Sequence, residues 1–169
     1  VQDYNEYIGV DTVHPLVSEI KFNEIPAVIS YKMYLGIYAV FLKNIKCGNI
    51  TYGCQPYDYE DGTLVFVSPG QVYGIDSKGV SVKPSGYALV FHPDLIKGTS
   101  LGKNIKEYSF FSYETNEALH LSKKERKTIV DSLQKIAEKI KQKIDKHSKT
   151  LIASNLHLFL NNRICHYDR

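Results

Sequence analysis

The chain has 169 residues, of which 43% are hydrophobic and 23% charged, with a formal net charge of +3. That length suits one domain, or one domain with a helical appendage, and the apolar fraction is enough for a core. No run reaches the roughly 18 apolar residues of a membrane span, and no basic-then-apolar signal peptide opens the chain. The three cysteines, Cys47, Cys54 and Cys165, lack metal-ligand spacing. A soluble protein of a reducing, cytoplasmic compartment is the expectation. The opening Val1 and the closing stretch His166 to Arg169 read as the ends of a trimmed piece.

From about Val13 to Phe91 the signals are those of strands. Ala27 to Tyr31, Ile37 to Leu42, Leu64 to Val67, Val80 to Val82 and Tyr87 to Phe91 are rich in β-branched and aromatic residues. The stretch GTLVFVSPGQVYGI, Gly62 to Ile75, reads as strand, turn, strand about Pro69-Gly70. Lys46 to Asn49, Glu60 to Gly62, Ser77 to Gly79 and Pro84 to Gly86 supply turns. Short strands at this spacing, with no helical pattern between them, predict a sandwich or barrel.

Beyond Phe91 the period changes to that of helices. His92-Pro93-Asp94 ends the last strand, and a His before Pro at a strand end suits a hydrogen-bonded structural role. Leu121 to Glu125 carries a capping box, Ser122 with Glu125 three residues on. Ile129, Leu133, Ile136, Ile140 and Ile144 then line one face of a helix to about Lys143. After a break at Asp145 to His147, with Ser148 as a cap, a second helix carries Ile152, Leu156 and Phe159, widened by Leu151, Leu158, Leu160 and Ile164. So wide an apolar surface needs two partners. Its own barrel and first helix would satisfy it, and so would another subunit; periodicity does not choose between them.

Charge is unevenly placed. Residues 1–110 carry 9 Lys and Arg against 11 Asp and Glu, and residues 111–169 carry 12 against 7. The acidic residues mixed into the basic segment argue against direct DNA contact by these helices, because phosphate affinity needs cations clustered on one face. Gly-rich phosphate loops, His-Glu-x-x-His and Gly-x-Ser-x-Gly are absent from the sequence, so no enzyme class suggests itself. His14 and His92, the two histidines of the β half, have no carboxylate or thiolate company that would make a metal site.

Gly62 to Tyr73 echoes the second motif of the cupins, small jelly-roll barrels, and Ser30 to Asn44, SYKMYLGIYAVFLKN, aligns more loosely with the first. Together with Phe91 to Glu125 and Asp145 to Arg169, these stretches resemble the N-terminal effector-binding and dimerisation region of AraC-type transcriptional regulators, in a subgroup known mainly from Bacteroides relatives. The resemblance implies an α+β fold: a small cupin-like β-barrel, residues 1–110, followed by two or three C-terminal helices packed as a hairpin, residues 111–169. It places Ser30, Lys32, Gly36 and Tyr73 at the four metal-ligand positions, all without their usual ligands, so neither metal nor other cofactor is expected. The DNA-binding domain with its two helix-turn-helix units would follow Arg169, and DNA would be a partner only through it.

On that register Lys32, Tyr34, Tyr38 and Tyr73 point into the barrel lumen, because residues two apart share a face. Flat tyrosine rings with hydroxyls beside a lysine suit a sugar or a small carboxylated aromatic as effector. Any single tyrosine among the 13 equally suits a strand face with its hydroxyl in water. The resemblance also favours a homodimer through Ile152, Leu156, Phe159 and Leu160, spacing two DNA-binding domains. The function expected is effector sensing and dimerisation in a DNA-binding regulator. A metal-dependent cupin enzyme and a stand-alone small-ligand-binding protein are the alternatives.

Overall fold

The segments Tyr38 to Lys43, Thr63 to Val67 and Gly86 to Phe91 carry apolar residues at successive rather than alternate positions, the mark of strands covered on both faces. A computed structural model of the chain describes residues 1–27, 29, 31–43, 49–52, 55–57, 62–76, 78–81, 83–111 and 119–167. Its strands are β1 (Val17–Lys21), β2 (Tyr31–Leu35), β3 (Tyr38–Lys43), β4 (Asn49–Tyr52), β5 (Gln55–Tyr57), β6 (Thr63–Val67), β7 (Gln71–Asp76), β8 (Gly86–Phe91) and β9 (Leu119–His120). They form two antiparallel sheets, ordered β1-β8-β3-β6-β9 and β2-β7-β4-β5.

The first sheet is the middle layer of the molecule. Ala39, Phe41, Val65, Val67, Ala88 and Val90 face the second sheet and form one core with its Leu35 and Tyr73. Val40, Leu42, Leu64, Phe66, Leu89 and Phe91 point the other way, into a second core shared with the helices. Alternation along each strand thus divides consecutive apolar residues between two cores.

Among the described residues the α-helices are α1 (Gln2–Ile8), α2 (Pro93–Ile96), α3 (Ser100–Asn104), α4 (Lys123–Ile140) and α5 (Lys146–Tyr167). At the start of α4 the expected capping box is formed: Ser122 Oγ accepts the Glu125 N–H at 3.3 Å, and the Glu125 carboxylate accepts the Ser122 N–H at 2.7 Å. Ile129, Leu133, Ile136 and Ile140 are buried on its inner face. The helix stops at Ile140, short of the expected Lys143, and Ile144 is left 52% exposed in the connection. Asp145, rather than Ser148, caps α5. Its Oδ1 accepts the N–H groups of His147 and Ser148 at 2.9 and 2.8 Å, and Ser148 Oγ accepts the Asp145 N–H at 2.9 Å. The Tyr108 hydroxyl, donating to Asn161 Oδ1 at 2.6 Å, ties the segment before the helical pair to α5.

The protein is therefore α+β, with antiparallel sheets and two packed C-terminal helices. Among the described residues no helix is long and apolar enough to cross a membrane. Several expectations shift. The strand expected at Ala27 to Tyr31 begins only at Tyr31, and Val28 and Ser30 lie outside the described residues. Val80 and Ser81 belong to no strand, Val80 is 63% exposed, and Val82 lies outside the described residues. The run Ser30 to Asn44 is broken at Gly36-Ile37, so that β2 and β3 enter different sheets.

Candidate ligand-binding cleft

The N-terminal segment DYNEYIGV places Tyr4 and Tyr7 one helical turn apart and follows them with a glycine. The glycine ends the helix: Gly9 takes φ +77°, a left-handed conformation that costs it nothing for want of a Cβ. Behind it the chain turns back on α1. The Val10 N–H donates to the Asn5 carbonyl at 2.8 Å, and Asn5 Nδ2 donates to Thr12 Oγ1 at 3.1 Å. Tyr4 is buried in the core between the sheets and anchors the helix there, whereas Tyr7 is 64% exposed.

Between α1 and the turn joining β2 to β3 lies a cleft of about 380 Å³. Val1, Asp3, Tyr4 and Tyr7 line it from α1 and the residue before it; Met33, Tyr34, Leu35, Gly36 and Ile37 line it from β2 and the turn after it; His92 closes it from the end of β8. Leu35 and Ile37 are buried and give it an apolar floor, while Tyr34 is 72% exposed. His92 is held through both backbone and side chain, with Nδ1 also 3.5 Å from Asp94 Oδ2. Its backbone N–H donates to the Leu16 carbonyl at 2.8 Å, and its Nδ1 accepts the Asp94 N–H at 3.1 Å, capping α2. With Nδ1 an acceptor, the neutral ring carries its proton on Nε2 as a donor.

The four residues expected to share the lumen are not brought together. Met33 lies directly opposite Tyr73 in the β2–β7 register, and directly opposite residues share a face, so Lys32 and Tyr34 fall on the outer face of β2. Both are exposed. The inward frame of β2 is Met33 and Leu35, one residue out of step with the expectation. Tyr38 belongs to the first sheet and faces the helices, stacked on Phe91 at 5.0 Å and edge-on to Phe111 at 5.2 Å; burial raises its pKa. Tyr73 alone of the four lies between the sheets, 0% exposed, stacked on Phe41. Gly36 sits in the exposed β2–β3 turn.

Ile152, Leu156, Phe159 and Leu160 are all buried in the chain's own second core, where α5 meets α4, α3 and α2. A second copy cannot reach them without unpacking that core. Leu151 and Leu158, at 48% and 62% exposure, occupy the outward side of α5 instead.

Two features escape the sequence reading. Lys43 is buried, with Nζ 5.6 Å from the centroid of the Tyr73 ring, within cation–π range. As the end of an apolar strand next to turn residues it reads as a solvated lysine. The tyrosines of α1 lie in a segment too short to declare a helix, although their spacing and Gly9 were available signals. Among the described residues no three His, Cys, Asp or Glu side chains group as metal ligands. No family model matches the chain, and no curated protein matches it.

Proposed function

We propose that this chain is the effector-sensing and dimerisation region of a cytoplasmic, DNA-binding transcriptional regulator, without catalytic activity of its own. The two sheets form a cupin-like jelly roll, a small-molecule effector enters the cleft beside α1, and the α4–α5 pair transmits its presence to an attached helix-turn-helix domain. The observation that carries this reading is the double role of His92. It lines the cleft and also caps α2, whose Leu95 and Ile96 share the second core with Ile152 and Leu156 of α5. An effector that pulls on His92 thus acts on an element packed against the helical pair, and a coupling of about 1–3 kcal/mol is the usual size for such linkage.

Dimerisation in this reading uses the outward side of α5. Leu151, Asn155, Leu158 and Asn162 recur at spacings of four, three and four, the seam of a two-helix contact. The test is made on the full-length gene product. DNA binding by the dimer should change with effector, and the codons after Arg169 should encode a basic double helix-turn-helix. If they encode none, the regulator reading fails and a stand-alone ligand-binding protein takes its place.

A further inference from the structure

Folding sorts the charges of the helical pair. The short connection between α4 and α5 gathers Lys139 and Lys141 from the end of α4, Lys143 from the turn, and Lys146 and Lys149 from the start of α5. Residues 141–147 form an unbroken exposed run. Among the described residues none of these five lysines is held in an ion pair. Asp145 is the one acidic residue between positions 139 and 149, and its Oδ1 is occupied by the His147 and Ser148 N–H groups. Glu138 on α4 borders the patch, as does the half-buried Glu19 of β1, which lies within electrostatic reach of Lys141. Residues 111–169 mix both signs along the chain, yet this end of the hairpin is a cluster of cations, the arrangement that phosphate affinity needs.

The patch is cationic without being apolar or aromatic. Ile144, 52% exposed, is the one apolar residue of the run KQKIDKH at 141–147. A lipid surface takes up a helix through a broad apolar face beside its lysines. Single-stranded nucleic acid wants aromatic rings on which its bases stack, and a protein partner wants aromatic or arginine anchors. The run offers none of these. Ammonium groups on flexible stems, with the Gln142 amide and the His147 ring as further donors, suit the closely spaced phosphates of a duplex, contacted without reading its bases.

We propose that the α4–α5 turn docks on the phosphate backbone of duplex DNA, independently of base sequence, through Lys139, Lys141, Lys143, Lys146 and Lys149. The contact belongs to this chain alone and does not depend on the regulator reading.

The experiment titrates labelled duplex DNA with this chain and follows fluorescence anisotropy across a salt series. The logarithm of the association constant should fall linearly with that of the salt concentration, with a slope of about −4 for roughly four or five neutralised phosphates. A second duplex of unrelated sequence should bind within about twofold. Lys143→Gln combined with Lys146→Gln should weaken binding about tenfold and reduce the slope by about 2. Lys124→Gln combined with Lys127→Gln removes the same charge at the opposite end of α4 and should leave both quantities nearly unchanged. All four lysines are exposed, so both variants should keep the wild-type circular dichroism spectrum. Absence of binding at low salt, equal losses in the two double variants, or tighter binding to single strands or to phosphatidylserine vesicles than to the duplex would each overturn the assignment. A full-length protein that reads DNA through an attached domain would leave the regulator reading intact after any of those results, and a gene without that domain would leave the lysine contact intact.

Discussion

Phe41 of β3 and Tyr73 of β7 lie ring on ring across the gap between the two sheets, centroids 4.5 Å apart and planes inclined by 17°. Each is fully buried, and Phe22 also stacks with Phe41, centroids 6.2 Å apart. Tyr73→Ala would leave a ring-sized hole at this junction, and the expected loss is about 3–5 kcal/mol. Urea denaturation should show that loss for Tyr73→Ala, while Tyr34→Ala, on the outer face of β2, should stay within about 0.5 kcal/mol of wild type. Equal effects would mean that the inward frame of the second sheet is misassigned.

Gly86 opens β8 with φ +115°, and a Cβ built there runs into the backbone of Leu42 and Lys43 on the neighbouring strand. Gly79 also has positive φ, at +80°, but faces open space. Gly79→Ala should therefore cost only backbone strain, about 1 kcal/mol. Gly86→Ala adds a collision with main chain that cannot rotate away, and thermal unfolding should rank it well below Gly79→Ala.

Two ionisable groups, His14 buried and Glu19 half-buried, give stability opposite dependences on pH. Burial lowers the pKa of His14 from 6.5; its Nδ1 accepts the Leu16 N–H at 3.1 Å, and its Nε2 is buried without a partner. The folded state holds the neutral ring while the unfolded chain takes up a proton, so stability is full above pH 6.5 and falls as pH drops below it. Glu19 is raised from 4.5, chiefly by burial, with Lys21 and Lys141 offsetting part of the rise and Glu24 adding to it. Its contribution is present below pH 4.5 and is lost as pH rises towards the folded pKa. Glu19→Gln should accordingly stabilise the protein at neutral pH, and His14→Gln should flatten the decline on the acid side; both are read from urea midpoints across a pH series.

The caps of α4 and α5 offer a local test. Ser122→Ala and Asp145→Ala each remove acceptors for N–H groups at a helix start, and each should cost about 1 kcal/mol. Asp145→Asn keeps the acceptor geometry and should lose less than Asp145→Ala by the same denaturation assay.

If α5 makes the dimer contact through Leu151 and Leu158, Leu158→Lys should shift sedimentation equilibrium towards monomer without lowering the melting temperature of the chain. Phe159→Lys, one residue on, enters the core and should unfold it. A wild-type chain that stays monomeric at every concentration would remove the dimer from the functional reading.

How much of this was legible in the sequence follows from burial. The runs LVFV and ALVF read directly as strands because the first sheet is enclosed on both sides, and Ser122 with Glu125 announced a helix because the box is local chemistry. The site was less legible because it depends on a one-residue frame. Only the pairing of Met33 with Tyr73 decides which side of β2 faces inward, and that pairing is made with a strand about forty positions away. Of the broad apolar surface of α5, Ile152, Leu156, Phe159 and Leu160 are buried while Leu151 and Leu158 stay exposed. The elements that cover its buried side, α4 with α2 and α3, lie in the same chain, and periodicity carries no record of which molecule supplies them.

The two residues of β9 pair with Thr63 and Leu64 on the outer side of β6, and the Leu121 N–H extends the match by donating to the Gly62 carbonyl at 3.2 Å. Without them β6 would present its backbone donors and acceptors to any passing strand, as an open sheet margin does. This small clasp closes the first part of that margin, at Gly62 to Leu64, to strand addition from another molecule.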